Sequence, residues 1–185
     1  MEESPFVKMF EEAANEIFNG KFVVKKGANL FYELTLNREL KLSVGNTEEP
    51  KRGDSAFQTD LCVFEKIGSS EFPRVAIEFK TNITTHDVIT YSAKAGKHKK
   101  IYPGLRYGLL ASEIDAIPNR FFIHNENLDF FIAAKQYKEA ETGVLKQMIK
   151  SLIETEVTTA QTLEKIYFDK DKFNYYKTDI IFKKF

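Results

Sequence analysis

A carboxylate two residues from a lysine suits phosphodiester hydrolysis when a second carboxylate stands beside it. The paired acids hold a hard divalent cation through oxygen, and the ammonium orients water and offsets charge building on phosphorus. Three such triplets occur in the chain, Glu39-Leu-Lys41, Glu49-Pro-Lys51 and Glu78-Phe-Lys80, and each alone carries little weight. Context separates them. No Asp precedes Asp54, so the first triplet lacks an upstream Asp, and the second has Pro in the middle of a polar loop. Only Glu78-Phe-Lys80 closes an apolar, β-prone run, and Asp60 opens the run before it.

Those two runs, Asp60 to Ile67 and Arg74 to Lys80, flank the turn Gly68-Ser-Ser-Glu-Phe-Pro73 and predict a β-hairpin. With the turn centred on Ser70, Asp60 faces Lys80, Cys62 faces Glu78 and Phe64 faces Ala76. Asp60 and Glu78 are then diagonal neighbours on one face, about 7–8 Å apart at the backbone, near enough to converge on one cation. The opposite face carries Leu61, Val63, Val75, Ile77 and Phe79, which is a core. A slip of one residue would separate the acids, because alternate residues point to opposite faces. Asp60, Glu78 and the backbone carbonyl of Phe79 are oxygen ligands suited to Mg²⁺, with room left for water and a phosphate oxygen. The plainer reading of Asp60, Glu78 and Lys80 is a cross-strand salt bridge, which leaves unexplained why charge interrupts an apolar hairpin at one end.

The remaining elements must bring this hairpin into a fold. Phe6, Phe10, Ala13, Ala14, Ile17 and Phe18 recur at helical spacing, with Ser4 as N-cap, Pro5 at the first turn and Gly20 as the stop. From Phe22 to Val44, short runs rich in β-formers predict one or two strands, and residues 45–55 form a polar loop. His86 to Tyr102 reads as a helix, Tyr107 to Ala111 as a buried strand, and Phe121 to Ala134 as one or two more strands. Leu145, Met148, Ile149, Leu152 and Ile153 mark a second strongly periodic helix, and residues 165–185 interleave Lys with aromatic residues, a pattern that suits base stacking and phosphate contact but is better read as an edge strand packed on the core. The order is that of one mixed α/β domain over residues 1–185.

Length and composition agree with a single globular core: 185 residues, 43% hydrophobic, 29% charged, 17 Phe, 8 Tyr and no Trp exclude disorder and low-complexity sequence. The lone Cys62 excludes an internal disulfide, and no Cys/His cluster has zinc spacing, so a cytoplasmic setting is expected. Neither a signal-like N-terminus nor an apolar run of membrane-spanning length occurs, so no membrane partner is expected. The net charge of zero conceals opposed regions: residues 86–106 carry +4, residues 165–185 carry +3, and the rest of the chain carries −7. A nucleic-acid contact is therefore expected to be local and salt-sensitive.

The order of elements, with Asp60 and Glu78-Phe-Lys80 at its centre, resembles the PD-(D/E)xK nuclease superfamily, the fold of restriction endonucleases, over roughly residues 4–111. The resemblance implies an αβββαβ core, a mixed central sheet flanked by helices, followed here by a C-terminal helix and extension over residues 140–185. It implies a Mg²⁺-dependent DNA endonuclease, with Mn²⁺ able to substitute, in which Asp60 and Glu78 bind metal and Lys80 assists the nucleophilic water. Some members add a Glu from the first helix, for which Glu12 and Glu16 are the local candidates, although a solvated helix face explains both. The helix after the triplet borders the substrate groove in this fold, so Lys94, Lys97, His98, Lys99, Lys100 and Arg106 are candidates for the DNA backbone. The implied role is that of a type II restriction endonuclease acting as a homodimer on double-stranded DNA. Alternatives are a repair, resolvase or mobile-element nuclease, or an inactive DNA-binding module. The chain departs from the family pattern in having Thr59 where Pro is usual and in lacking a clear Gln-x-x-x-Tyr in the following helix.

Overall fold

Alternation along two neighbouring runs decides the architecture. In a computed structural model, which describes residues 5–18, 20–44, 46–139, 142–169 and 172–182, β4 (Leu61–Ile67) and β5 (Ser70–Lys80) form the centre of the sheet. Leu61, Val63, Val75 and Ile77 point to one face and Cys62, Phe64 and Ala76 to the other, and both sets are buried in separate clusters. A strand pair apolar on both faces must be covered on both, which requires helices above and below.

On the first face lie α1 (Pro5–Ile17), through Phe10, Ala13 and Ala14, and α5 (Thr142–Phe168), through Leu145, Ile149, Ile153 and Val157. The predicted N-cap Ser4 lies outside the described residues. The second face is covered by α2 (Thr85–Ile101) and α3 (Asn119–His124). Thr84 and Asp87 cap α2 reciprocally, each side chain taking the other's backbone N–H, which anchors the helix immediately after β5.

The five-stranded sheet has the order β1 (Phe22–Lys26), β4, β5, β6 (Arg106–Ala111), β7 (Phe130–Ala133). It is antiparallel from β1 to β5 and parallel from β5 to β7, so the fold is mixed α/β with flanking helices. A small antiparallel pair, β2 (Asn29–Phe31) and β3 (Ala56–Gln58), stands apart from it. The short helix α4 (Lys135–Glu139) leads from β7 to α5. Among the described residues, no helix is long and apolar enough to cross a membrane.

The hairpin register differs from the expected one. The turn is Gly68-Ser69, flanked by Ile67 opposite Ser70, and Gly68 takes φ +62°, as a two-residue hairpin turn requires. The register then shifts between Val63 and Phe64, so that Val63 faces Val75 while Phe64 faces Pro73. Arg74 is the extra residue of that bulge, beside a Pro with no N–H to give to the ladder. Beyond the bulge Leu61 faces Ile77 and Cys62 faces Ala76, two residues away from the expected pairing. Because the displacement there is even, the side chains of residues 60–63 and 75–80 keep their predicted faces.

The one or two strands expected over Phe22–Val44 are β1 and β2, after which residues 32–44 form an arm closed by one bridge between Leu36 and Leu42. Of the one or two expected over Phe121–Ala134, β7 forms, while residues 119–124 are helical. The described part of the C-terminal segment, residues 172–182, forms no strand, and Phe173, Tyr175, Tyr176, Ile180, Ile181 and Phe182 are exposed. Those residues pair with neither outer strand of the sheet, β1 or β7, and so lack the ladder hydrogen bonds that make a strand.

Candidate active site

Asp60 and Glu78 meet at the end of the sheet where β4 begins and β5 finishes. Asp60 immediately precedes β4, and continuation of the ladder sets it opposite Glu78, a closer relation than the expected diagonal. Its Oδ2 accepts the backbone N–H of Phe79 at 2.8 Å, which fixes the carboxylate between Glu78 and Lys80.

Glu78 is 2% exposed. Its Oε1 accepts from Lys94 Nζ at 2.6 Å and from the Tyr107 hydroxyl in a short contact. Burial pushes the Glu78 carboxyl above the usual range, the Lys94 ammonium draws it back, and the negative charge of Asp60 pushes it up again. That repulsion follows from the two acids facing each other across the end of the β4–β5 ladder. Burial and the charge of Glu78 together raise the Tyr107 phenol, which therefore stays a hydrogen-bond donor. Lys94 also donates to the Gln58 carbonyl at 2.6 Å, tying β3 to the same carboxylate.

Lys80 lies at the more open end of the cluster. Its Nζ is 3.9 Å from Asp87 Oδ1 and 5.2 Å from the Tyr91 ring centroid. Its pKa is raised, chiefly by a hydrogen bond with Tyr91 and further by the charges of Asp87 and Asp60, against a smaller opposing effect of burial. Lys80 is therefore a fixed cation at neutral pH, suited to orienting water and balancing negative charge. Asp87, Tyr91 and Lys94 were not recognised from sequence as a set, although their spacing of four and three residues sets them on one helix face. Tyr107 carried no such signal, since only the parallel pairing of β5 with β6 brings it to Glu78.

The first-helix glutamates do not join this site. Glu12 is exposed and 3.8 Å from Lys8, and Glu16 pairs with Lys146 of α5. Their helix packs on the opposite face of the sheet, where Phe10 meets the ring of Phe79, so a sheet separates them from Glu78.

The basic segment is also distributed differently from the expected phosphate-contacting row. Lys94 is turned inward on Glu78. Lys99 is bound to Asp129 at 2.7 Å and to the Asn127 carbonyl at 2.6 Å, and Arg106 to Asp129 and Glu156, each at 2.7 Å. Asp129 therefore joins two cations that the sequence left without partners. His98 is 0% exposed and so has no access to a DNA backbone. Its Nδ1 donates to the Phe31 carbonyl at 2.8 Å, while Nε2 is buried beside the stacked ring of Tyr107 with no hydrogen-bond partner among the described residues. Lys97 and Lys100 are the exposed members of the six.

Two carboxylates with a nearby fixed ammonium form a donor set that fits Mg²⁺, which commonly takes one or two protein carboxylates and fills its sphere with water and phosphate oxygen. Phe79 N–H occupies Asp60 Oδ2, and Lys94 and Tyr107 occupy Glu78 Oε1. Among the described residues no protein donor meets Asp60 Oδ1 or Glu78 Oε2, which leaves one oxygen of each acid for a cation. Among those residues, too, no group of three or more His, Cys, Asp or Glu converges as a closed metal cage. No protein-family model matches the chain, and no curated protein matches it in sequence.

Proposed function

We propose that the protein is a Mg²⁺-dependent DNA endonuclease of the PD-(D/E)xK type, in the role of a type II restriction endonuclease cutting duplex DNA as a homodimer. The observation that carries this reading is the meeting of Asp60 and Glu78 on one face of the β4–β5 pair, with Lys80 directly following on β5. The order α1, β1, β4, β5, α2, β6 in the main sheet and its flanking helices supports it, as an αβββαβ sequence of elements.

In this reading Asp60 and Glu78 hold the cation, and Phe79 positions Asp60 through its backbone N–H. A bound Mg²⁺ supplies polarisation of a phosphate oxygen and a lowered pKa for coordinated water. Lys80 orients the attacking water and balances charge that builds on the phosphate. Lys94 and Tyr107 aim the buried Glu78 carboxylate and offset the cost of its burial.

A second reading, an inactive DNA-binding module, is favoured by one specific observation: Glu78 already has a cation, Lys94, at hydrogen-bond distance. Incubation with plasmid DNA separates the two. Cleavage that needs Mg²⁺ or Mn²⁺, stops with chelator and falls about 100-fold or more in Lys80→Ala and Asp60→Asn supports the enzyme. DNA binding without cleavage supports the module. Short defined fragments indicate restriction, whereas cutting confined to branched or damaged DNA indicates a repair, resolvase or mobile-element role.

A further inference from the structure

Beside the acidic site, and tied to it, stands an aromatic pair that the chemistry above does not use. Tyr32 and Phe57 stack with centroids 4.0 Å apart and planes 19° from parallel. Phe57 is 36% exposed. Lys97 Nζ lies 5.0 Å from the Tyr32 ring centroid and 5.6 Å from that of Phe57, and among the described residues it has no carboxylate partner. The next residue after Phe57, Gln58, is held through its carbonyl by the same Lys94 ammonium that pairs with Glu78.

We propose that Tyr32, Phe57 and Lys97 form a platform for one unpaired nucleobase of the DNA substrate, next to the phosphodiester presented to Asp60 and Glu78. This rests on the nuclease reading for the identity of the neighbouring site. An exposed aromatic pair with an ammonium beside it matches the two parts of a nucleotide: the base stacks on the ring and the phosphate meets the cation. Bases within a duplex have no free face to offer, so the partner is a nucleotide that is extruded, bulged or single-stranded. Packing alone accounts for the contact of Phe57 with His98, but not for the exposure of Phe57 or for a lysine beside the pair with no carboxylate partner among the described residues.

The test is binding in EDTA, which prevents cutting, followed by fluorescence anisotropy with three labelled probes: a fully paired duplex, the same duplex with one unpaired adenine, and a single strand. Stacking of one base predicts that the bulged duplex binds roughly 5- to 150-fold more tightly than the paired one. Phe57→Ala abolishes that preference, Phe57→Tyr retains it, and Lys97→Gln lowers the slope of log affinity against log salt by about 1 for all probes. Circular dichroism melts of each variant identify any that fail to fold, and the wild-type preference together with the folded Lys97→Gln variant still decides the matter. Equal wild-type affinity for paired and bulged probes overturns the platform and leaves Mg²⁺-dependent plasmid cleavage standing. A Phe57-dependent preference without any cleavage sustains the platform and removes the nuclease.

Discussion

Replacement of Lys94 by Met tests the electrostatic arrangement on which the site depends. Lys94 is 14% exposed and Glu78 2% exposed, so the pair is shielded from water and salt. Met fills a similar volume but leaves the carboxylate with the Tyr107 hydroxyl and no cation at hydrogen-bond distance. Removal of one partner from a buried pair costs about 3–5 kcal/mol. In a chain of this length about 1 kcal/mol moves the melting temperature by about 2–4 °C, so a fall of roughly 6–20 °C is expected at neutral pH. The double variant Lys94→Met, Glu78→Gln removes the stranded charge and keeps the side-chain shape, and is expected to recover most of that loss. Metal-free thermal unfolding of the wild type, both single variants and the double variant completes the cycle. A single-variant shift below about 3 °C, or a double variant as unstable as Lys94→Met alone, refutes the claim that Glu78 is held as a buried carboxylate.

Other consequences are equally direct. Burial lowers His98 from 6.5 to about 4, so the folded protein binds fewer protons than the unfolded chain between those values. Stability present above the unfolded pKa is therefore lost as pH falls, by about 2 kcal/mol at pH 5 and about 3 kcal/mol near pH 4. His98→Asn keeps a donor for the Phe31 carbonyl but cannot titrate, so urea unfolding from pH 8 to 5 should show the wild type losing stability faster than the variant; parallel curves contradict this. Gly104 has φ +80°, and a Cβ there would stand 2.5 Å from the Ala160 carbonyl oxygen of α5. Gly104→Ala should cost about 2–4 kcal/mol in denaturant unfolding. Gly53→Ala meets nothing within 4 Å and serves as the near-neutral control. Calorimetric titration with Mg²⁺ should show weakened binding in Asp60→Asn and Glu78→Gln but not in Glu12→Ala or Glu16→Ala, whose carboxylates lie across the sheet.

Much of the candidate site was legible because strand periodicity is a short-range property. Alternation in residues 60–67 and 74–80 set Asp60 and Glu78 on one face and Leu61, Val63, Val75 and Ile77 on the other, and the structure keeps both sets. The pairing within that face was misplaced by two residues, since a two-residue turn and a bulge at Arg74 are choices of backbone geometry that residue types only bias. An even displacement spared the site; an odd one would have dispersed it.

What the sequence by itself determined is local: the helices around Phe10 and Ile149, the two-faced hairpin, and an acid pair with a lysine at one end of it. Tertiary structure decided which charges remain available. Lys94, Lys99 and Arg106 look interchangeable along the chain, yet the fold gives each its own set of carboxylates: Glu78 for Lys94, Asp129 for Lys99, and both Asp129 and Glu156 for Arg106. His98, four residues from Lys94, is enclosed between Phe57 and Tyr107. The physical reason is that ion pairs and burial depend on groups far apart in the chain, 16 residues for Lys94 and Glu78 and 50 for Arg106 and Glu156. Composition counts such charges, and only the fold shows which of them still face water.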